Sequence, residues 1–333
     1  MEEKYLMPEV SVIMPVYNGE KYIRESMDSV INQTHKDFEF IIINDCSSDN
    51  TENIIKSYND NRIKYVKNKK NLGVALSLNK GLNLATGKYI ARMDADDISL
   101  PYRFEEQIKY LKENKECDIC SGDIIEFDDN GNEQLHVYSH DNSNIMVDLL
   151  FDSPIVHPAV MMRSSIKEKI DLYYDIQYEK AEDFELWARI SDKVRIDNLN
   201  KVLLKYRIHN LQVSVSCNRQ QVKACRKIRY RSLVKILGKN KTEEYIDIFD
   251  DFCNNKIKTQ EEYETLCECF RVIYENNKRK KIYSDKILGT QLSLIKLNLA
   301  MKNRFKLKIN THIDCIMFAK IKLSKLYNRI KRI

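Results

Sequence analysis

An α/β fold with a mostly parallel central sheet, followed by an all-helical C-terminal region, is what the sequence predicts. Three observations carry that prediction. The first 100 residues alternate short apolar, β-branched runs with stretches of helical period. The connections between them are short, which implies parallel strands with helices covering both faces. After about Ser216 the chain reads as helix almost throughout, with no proline and two glycines, Gly238 and Gly289. The expected division is therefore residues 1–216 and residues 217–333.

The elements follow in order. Val10 to Val16 is a short apolar run and reads as a buried strand. Glu20 to Asn32 places Tyr22, Ile23, Met27, Val30 and Ile31 at helical spacing. Phe38 to Ile43 is a second strand, and it stops in the polar cluster Asn44 to Asp49. Asp49 or Asn50 can cap a helix through about Tyr58. Arg62 to Val66 reads as a third strand, Gly73 to Leu84 as a helix, and Lys88 to Met93 as a fourth strand. That strand runs into Asp94-Ala95-Asp96-Asp97. Pro101 suits the first turn of a helix through about Glu113. Asp118 to Phe127 alternates like a strand, and residues 128–131 read as a hairpin turn. His140 to Ile170 has no clear pattern. Asp183 to Ile190 is a short helix, and Lys201 to Arg207 another strand.

Composition narrows the class. The chain has 333 residues, 43% hydrophobic and 31% charged, as a globular protein should. Eight glycines and five prolines are about a third of average usage, which excludes collagen-like and Pro/Gly-rich disordered chains. No apolar run of about 18 residues is present, and the N-terminus lacks the layout of a signal peptide. The expectation is a cytoplasmic protein. The nine cysteines include one CxxC, Cys117 and Cys120, with no second pair at zinc-like spacing. They read as reduced, mostly buried thiols. The net charge of +6 is uneven: residues 301–333 hold ten Lys or Arg and one acid, Asp314. The body carries no basic excess, so no nucleic-acid partner is expected.

On parallel sheets ligands bind beyond the C-terminal strand ends. Three polar clusters fall there: Tyr17-Asn18, Asn44-Asp45 and Asp94-Ala95-Asp96. The acids at 94–97 repel one another unless a cation sits among them, and hard oxygen ligands suit Mg²⁺ or Mn²⁺. Taken alone, such a triplet reads as a helix N-cap or an acidic loop before Pro101, but its position after an apolar strand in an α/β pattern favours the metal site. Asp45 is either a turn residue or an acceptor for a nucleobase N–H. Tyr17 either stacks on a base or is a half-buried aromatic. Glu182-Asp183 sits in a first helical turn, where the dipole favours acids, and Asp183 could instead serve as a general base. His209 either ligates a metal or diphosphate or is structural, and His157-Pro158 is equally ambiguous. Neither GxGxxG nor GxxxxGK[ST] occurs, so charge on a diphosphate must be offset by a metal or side chains.

Six runs in order resemble glycosyltransferase family 2. They are Val10–Asn18 (VSVIMPVYN), Ile43–Thr51 (INDCSSDNT), Asn71–Gly73 (NLG), Met93–Asp97 (MDADD), Ala181–Trp187 (AEDFELW) and Tyr206–His209 (YRIH). Together they span about residues 9–215. The resemblance implies a GT-A fold and an inverting transfer of sugar from a nucleotide diphosphate. It implies that Tyr17 and Asp45 hold the base with Pro15 and Asn71 nearby, and that Asp94 lies toward the ribose. It implies that Asp96 binds Mn²⁺ or Mg²⁺, that His209 helps hold the metal or diphosphate, and that Asp183 is the base. Cys46 departs from the family's more usual glycine. The implied donor is a UDP-hexose, with thymine or guanine as alternative bases. The implied acceptor is a saccharide or lipid-linked saccharide of a bacterial capsule or lipopolysaccharide.

Residues 301–333 read as a basic amphipathic tail, fit either for an anionic membrane surface or for packing on the body. Membrane attachment would make the protein peripheral on the inner face. The absence of a QxxRW-type run argues against a processive synthase. The rival readings are a metal-dependent nucleotidyltransferase and a non-catalytic sugar-nucleotide-binding scaffold. A nucleotidyltransferase would show a Gly-rich basic loop after the first strand, and residues 16–20 are not one.

Overall fold

The computed structural model describes residues 7–209 and 219–306. The tail expected to be basic and amphipathic lies, from residue 307 onward, outside the described residues. The described part divides into two compact units. The first comprises Met1–Ile145 with Ser153–Cys225, and the second Met146–Asp152 with Arg226–Ile333.

The first unit is built on a nine-stranded sheet. In chain order its elements are β1 (Val10–Val16), α1 (Ile23–Ile31), β2 (Phe38–Asn44), α2 (Thr51–Lys56), β3 (Ile63–Lys67), α3 (Val74–Leu84) and β4 (Tyr89–Arg92). There follow β5 (Ile98–Ser99), α4 (Arg103–Glu113), β6 (Ile119–Asp128), β7 (Glu133–His136), α5 (Asn142–Asp148), β8 (Met161–Arg163), α6 (Glu182–Ile190) and β9 (Ile196–Ile208). The strand order is β3-β2-β1-β4-β8-β6-β9-β5, with β7 paired to β6. The first four strands are mutually parallel, β8 joins antiparallel to β4, and β6 and β9 run parallel.

Every residue of β1 and β2 is buried, as strands covered on both faces must be. Each fully buried aliphatic side chain there contributes about 1.5–3 kcal/mol. Ile23, Met27 and Val30 recur every three to four residues on α1, and all are buried against this sheet. Phe104, Ile108 and Leu111 do the same for α4. On α3 a side chain at position 81 would meet Ile13 at 2.4 Å, so glycine there lets helix and strand close up.

Pro15 would be misplaced in a central strand, because it cannot donate to the ladder. The register resolves this. β4 pairs with β1 only from Val10 to Ile13, so Pro15 lies beyond the last β4 partner. The strands part there. This is also where the strand order reverses, β2 and β3 lying on one side of β1 and β4 on the other, and crevices open at such points.

The unpatterned stretch 140–170 holds α5, two 3₁₀ segments at His157–Ala159 and Ser164–Glu168, and the three-residue β8. Elements this short leave no periodicity to read. β9 begins five residues before the expected Lys201, because its register against β6 shifts around Gly122–Asp123. That irregularity interrupts the alternation.

The second unit is helical. It contains most of α7 (Arg219–Leu237), then α8 (Lys239–Cys253), α9 (Gln260–Lys280) and α10 (Asp285–Asn303). Where the sequence placed the boundary at 216–217, the units divide between Cys225 and Arg226, and this unit also takes in Met146–Asp152. The reason is apolar: Val147 and Leu150 are fully buried in its core, and Phe151 stacks on Phe249 at 5.3 Å. Thr259 and Glu262 form a capping box at the start of α9. No helix among the described residues is long and apolar enough to cross a membrane. The seven cysteines among them are free, and Cys117, Cys120, Cys267 and Cys269 are buried.

Candidate active site

A cavity of about 760 Å³ opens where β1 and β4 part. Its walls bring together six of the residues singled out in the sequence: Pro15, Tyr17, Asp94, Asp96, Asp183 and His209. Tyr17, in the cavity lining, is 52% exposed. Asp45 and Asn71 are not among the lining residues.

The loops after β1 and β2 hold each other. Asn18 N–H donates to Ser47 Oγ (2.9 Å), and Ser48 N–H donates to Asn18 Oδ1 (2.9 Å). Gly19 N–H donates to Thr51 Oγ1 (2.8 Å), and Glu20 N–H to Asp49 Oδ2 (2.9 Å). The turn needs left-handed backbone at Asn18 (φ 48°) and Cys46 (φ 64°). A glycine at 46 would adopt that conformation without strain, which is why Cys46 is the costlier residue there.

Asp45 directly follows β2 and is almost fully buried. Its carboxylate accepts from Asn68 Nδ2 (2.7 Å), Leu72 N–H (2.9 Å) and Gly73 N–H (2.8 Å). It thus caps the N-terminus of α3, a favourable place for a negative charge. Gly73 there has φ 85°. Leu72 N–H is shared with the second oxygen (3.1 Å), so each carboxylate oxygen already meets two donors of the fold. The side chain of Asn71 caps the same turn, Oδ1 accepting from Gly73 N–H at 3.1 Å.

The acid cluster follows β4. Carboxylate oxygens of Asp94, Asp96 and Asp97 lie within 4.8 Å of one another. Asp94 forms an ion pair with Arg92, two residues back on the same strand face. Burial pushes the Asp94 carboxyl upward and the Arg92 charge pulls it back. Asp97 is fully buried and held well above the usual carboxylate range, first by burial and then by the charges of Asp96 and Asp94. Its Oδ1 accepts Arg207 N–H (2.9 Å), and its Oδ2 has no hydrogen-bond partner among the described residues.

β9 supplies the rest. Because β5 pairs with β9, Ile98 opposite Lys205, residues more than 100 apart in sequence meet. Arg207 Nε donates to the Asp96 carbonyl (2.8 Å), and its guanidinium reaches Asp129 and Glu25. His209 Nε2 lies 3.0 Å from Asp96 Oδ2, with Tyr22 packed on its ring at 4.8 Å. Three carboxylates, one of which (Asp97) keeps an unpartnered buried oxygen among the described residues, with an imidazole beside Asp96, make a donor set that fits a divalent cation.

On another wall, α6 opens with Glu182 and Asp183. Burial, then the charge of Asp183, lifts the Glu182 carboxyl to about 7. Below them His157 Nε2 meets the Tyr174 hydroxyl at 2.8 Å, with Trp187 edge-on to the imidazole. Burial and the Arg92 charge push His157 well below the usual histidine range, so it is neutral. Arg103, fully buried on α4, donates to the Arg92 and Val160 carbonyls (2.8 and 3.1 Å) and ties this layer together.

Sequence reasoning missed Arg92, Arg207 and Tyr174. For the two arginines a signal existed. Arg92 is a cation in an otherwise apolar strand, and each arginine stands two residues before a singled-out acid or histidine. Tyr174 had none, since its segment carries no regular element.

Residues 11–169 match the model of the glycosyl transferase family 2. An uncharacterised glycosyltransferase of Methanocaldococcus jannaschii is 39% identical over 255 residues, 74% of this chain and 83% of that protein. The O-antigen biosynthesis glycosyltransferase WbnJ of Escherichia coli is 33% identical over 260 residues, 75% of this chain and 97% of that protein. Among solved structures, S. aureus TarS 1–349 in complex with UDP-GlcNAc aligns with a TM-score of 0.60 at 17% identity, over 91% of this chain and 94% of that one. The mannosyltransferase PcManGT of Pyrobaculum calidifontis, in complex with GDP-Man and Mn²⁺, aligns with a TM-score of 0.55 at 15% identity, over 90% of this chain and 88% of that one. At these identities the likeness speaks to the fold, which is GT-A.

Proposed function

The chain belongs to glycosyltransferase family 2 and is a transferase enzyme, and we propose that it moves a hexose from a UDP-sugar to a hydroxyl of a saccharide or lipid-linked saccharide, inverting the anomeric carbon. One observation carries this reading. A single cavity has a cation-fitting donor set on one wall and a pair of acids, Glu182 and Asp183, on another. Family membership leaves the nucleotidyltransferase and scaffold readings without support. The UDP-GlcNAc bound by TarS and the O-antigen role of WbnJ support the donor class and a place in surface polysaccharide synthesis.

Tyr17 stacks on the base, with Pro15 beside it. Asp45 accepts the base N–H in exchange for one arm of the shared Leu72 hydrogen bond and, with Asn71, holds the 68–73 loop. Asp94, fixed by Arg92, lies toward the ribose. Asp96 and His209 hold Mn²⁺ or Mg²⁺, which when bound offsets the charge developing on the leaving diphosphate. Asp183 accepts the proton of the acceptor hydroxyl as that oxygen attacks. Attack and departure on opposite faces invert the centre in one displacement, so no protein nucleophile is needed.

A thermal-shift panel of nucleotide diphosphates and nucleotide sugars, each with and without Mn²⁺, tests the reading. A ligand that binds the native state raises the melting temperature. A Mn²⁺-dependent shift with uridine nucleotides is expected. A panel with no shift would overturn the donor site.

A further inference from the structure

The first unit has a second polar crevice, of about 460 Å³, at the opposite end of the sheet from the acid cluster. It forms where β4 begins, whereas the acids follow the end of that strand. Tyr89 opens β4 and pairs across the ladder with Arg163 of β8, so both side chains share one face of the sheet. The C-terminal end of α4 lies over that face and contributes Lys112, with Lys115 just beyond it.

The lining is strongly cationic. Two of its lysines are neutralised, Lys169 by Asp118 (2.6 Å) and Lys112 by Glu9 (2.8 Å). Three cations are not. Lys88 and Lys115 have no acidic partner among the described residues, and Lys88 Nζ sits 5.3 Å from the Tyr89 ring centroid. Arg163 donates only to carbonyls: Cys117 O (2.8 Å), Asn114 O (3.2 Å) and Leu111 O at the end of α4. Asp118, the one carboxylate in the lining, is buried and already accepts from Lys169 Nζ and Arg195 N–H.

Tyr89 supplies the second observation. Its side chain is fully buried, yet its hydroxyl has no hydrogen-bond partner among the described residues. A buried hydroxyl left unpaired costs about 1–3 kcal/mol, so an otherwise apolar position would favour phenylalanine. The residue lines the crevice and acts electrostatically on Lys112, whose ammonium is held above its usual range chiefly by Glu9 and to a lesser degree by Tyr89. A donor without an acceptor therefore stands among cations without anions.

We propose that this crevice binds a phosphate group, with the Tyr89 hydroxyl donating a hydrogen bond and Lys88, Lys115 and Arg163 supplying the charge. Phosphate offers several oxygens in different directions, which suits one hydroxyl and three cations converging from two strands and a loop. The space exceeds a bare phosphate, so the ligand is an ester whose remainder extends outward. That ester is either soluble or the headgroup of an anionic phospholipid. The inference does not rest on the catalytic assignment, and the two sites share no residue.

Two measurements on the full chain test it. The first is calorimetric titration with inorganic phosphate at constant ionic strength. The parent is expected to bind in the millimolar range, and the pair Lys88→Ala with Lys115→Ala to weaken binding at least tenfold. Tyr89→Phe is expected to weaken it several-fold while leaving the melting temperature of the ligand-free protein unchanged, since no internal hydrogen bond is lost. The second is cosedimentation with phosphatidylcholine vesicles, with and without phosphatidic acid. Cosedimentation that needs phosphatidic acid and falls in the double variant assigns the ligand as a lipid headgroup. Phosphate binding without vesicle binding assigns a soluble ester. Absence of both, or binding that the double variant leaves unchanged, overturns the site.

Discussion

The two ends of β4 lie three residues apart along the strand and carry opposite chemistry. Its last residue, Arg92, leads into Asp94, Asp96 and Asp97, whose carboxylates crowd within 4.8 Å of one another. Its first, Tyr89, faces cations that lack acidic partners. At the acidic end the protein supplies its own partners, the Arg92 guanidinium, the Arg207 backbone N–H and the His209 ring, and still leaves a buried Asp97 oxygen unpaired among the described residues. At the basic end carbonyls and two carboxylates compensate part of the charge. The difference teaches where the fold concentrates function. Beyond the C-terminal ends of parallel strands, loops from β1, β4 and β9 converge on one cavity. At the N-terminal end the crevice is lined instead by the start of β4, by β8 and by the end of α4.

If the acidic end is the reaction centre, damage there must act on turnover rather than on folding. Asp183→Asn is expected to lower kcat by about 10³-fold with donor binding kept, read by a transfer assay beside calorimetry with UDP. Near-normal turnover would remove Asp183 from its role. Asp96→Ala should weaken Mn²⁺-dependent donor binding by about a hundredfold. Affinity that no longer depends on the residue would dissolve the contrast with the basic end.

Stability sharpens the same comparison. Glu182 titrates near 7 in the fold, above the usual carboxylate value of 4.5. Between those values the native state binds more protons than the unfolded chain, so stability falls as pH rises from about 4.5 to 7. Glu182→Gln removes that loss. Its melting temperature should match the parent below pH 4.5 and exceed it above pH 7, by a gain of at most about 3 kcal/mol. A gain independent of pH would contradict the assignment. Arg207→Met should cost about 2 kcal/mol in denaturant unfolding, because it releases the Asp96 carbonyl and the Asp129 and Glu25 carboxylates together. The smallest effect is expected at the β2 turn. Cys46→Gly relieves a left-handed backbone and should raise stability by at most about 1 kcal/mol.

Much of the site was legible because its residues follow strands. Tyr17, Asp94 and Asp96 each stand one to four residues after an apolar run, and a strand end is a visible boundary. Asp45 was legible as a strand-end acid, but its use was not. That its carboxylate caps α3 depends on a loop more than 20 residues away folding back over it. Arg207 and His209 were readable as a strand and a histidine, while their meeting with the acids depends on the β5–β9 ladder.

By itself the sequence determined the alternation of elements, the strand ends at which polar residues gather, and the switch to helix near residue 216. These are local consequences of hydrophobic period, turn chemistry and the scarcity of glycine and proline, and among the described residues the helical part begins at Arg219. Only the tertiary structure decided which strand ends share a cavity, that Met146–Asp152 joins the helical unit, and that Tyr89 is buried beside unpaired cations. Strand order and register are set by long-range pairing. Such pairing minimises exposed apolar surface over the whole sheet, and no window of neighbouring residues contains that information.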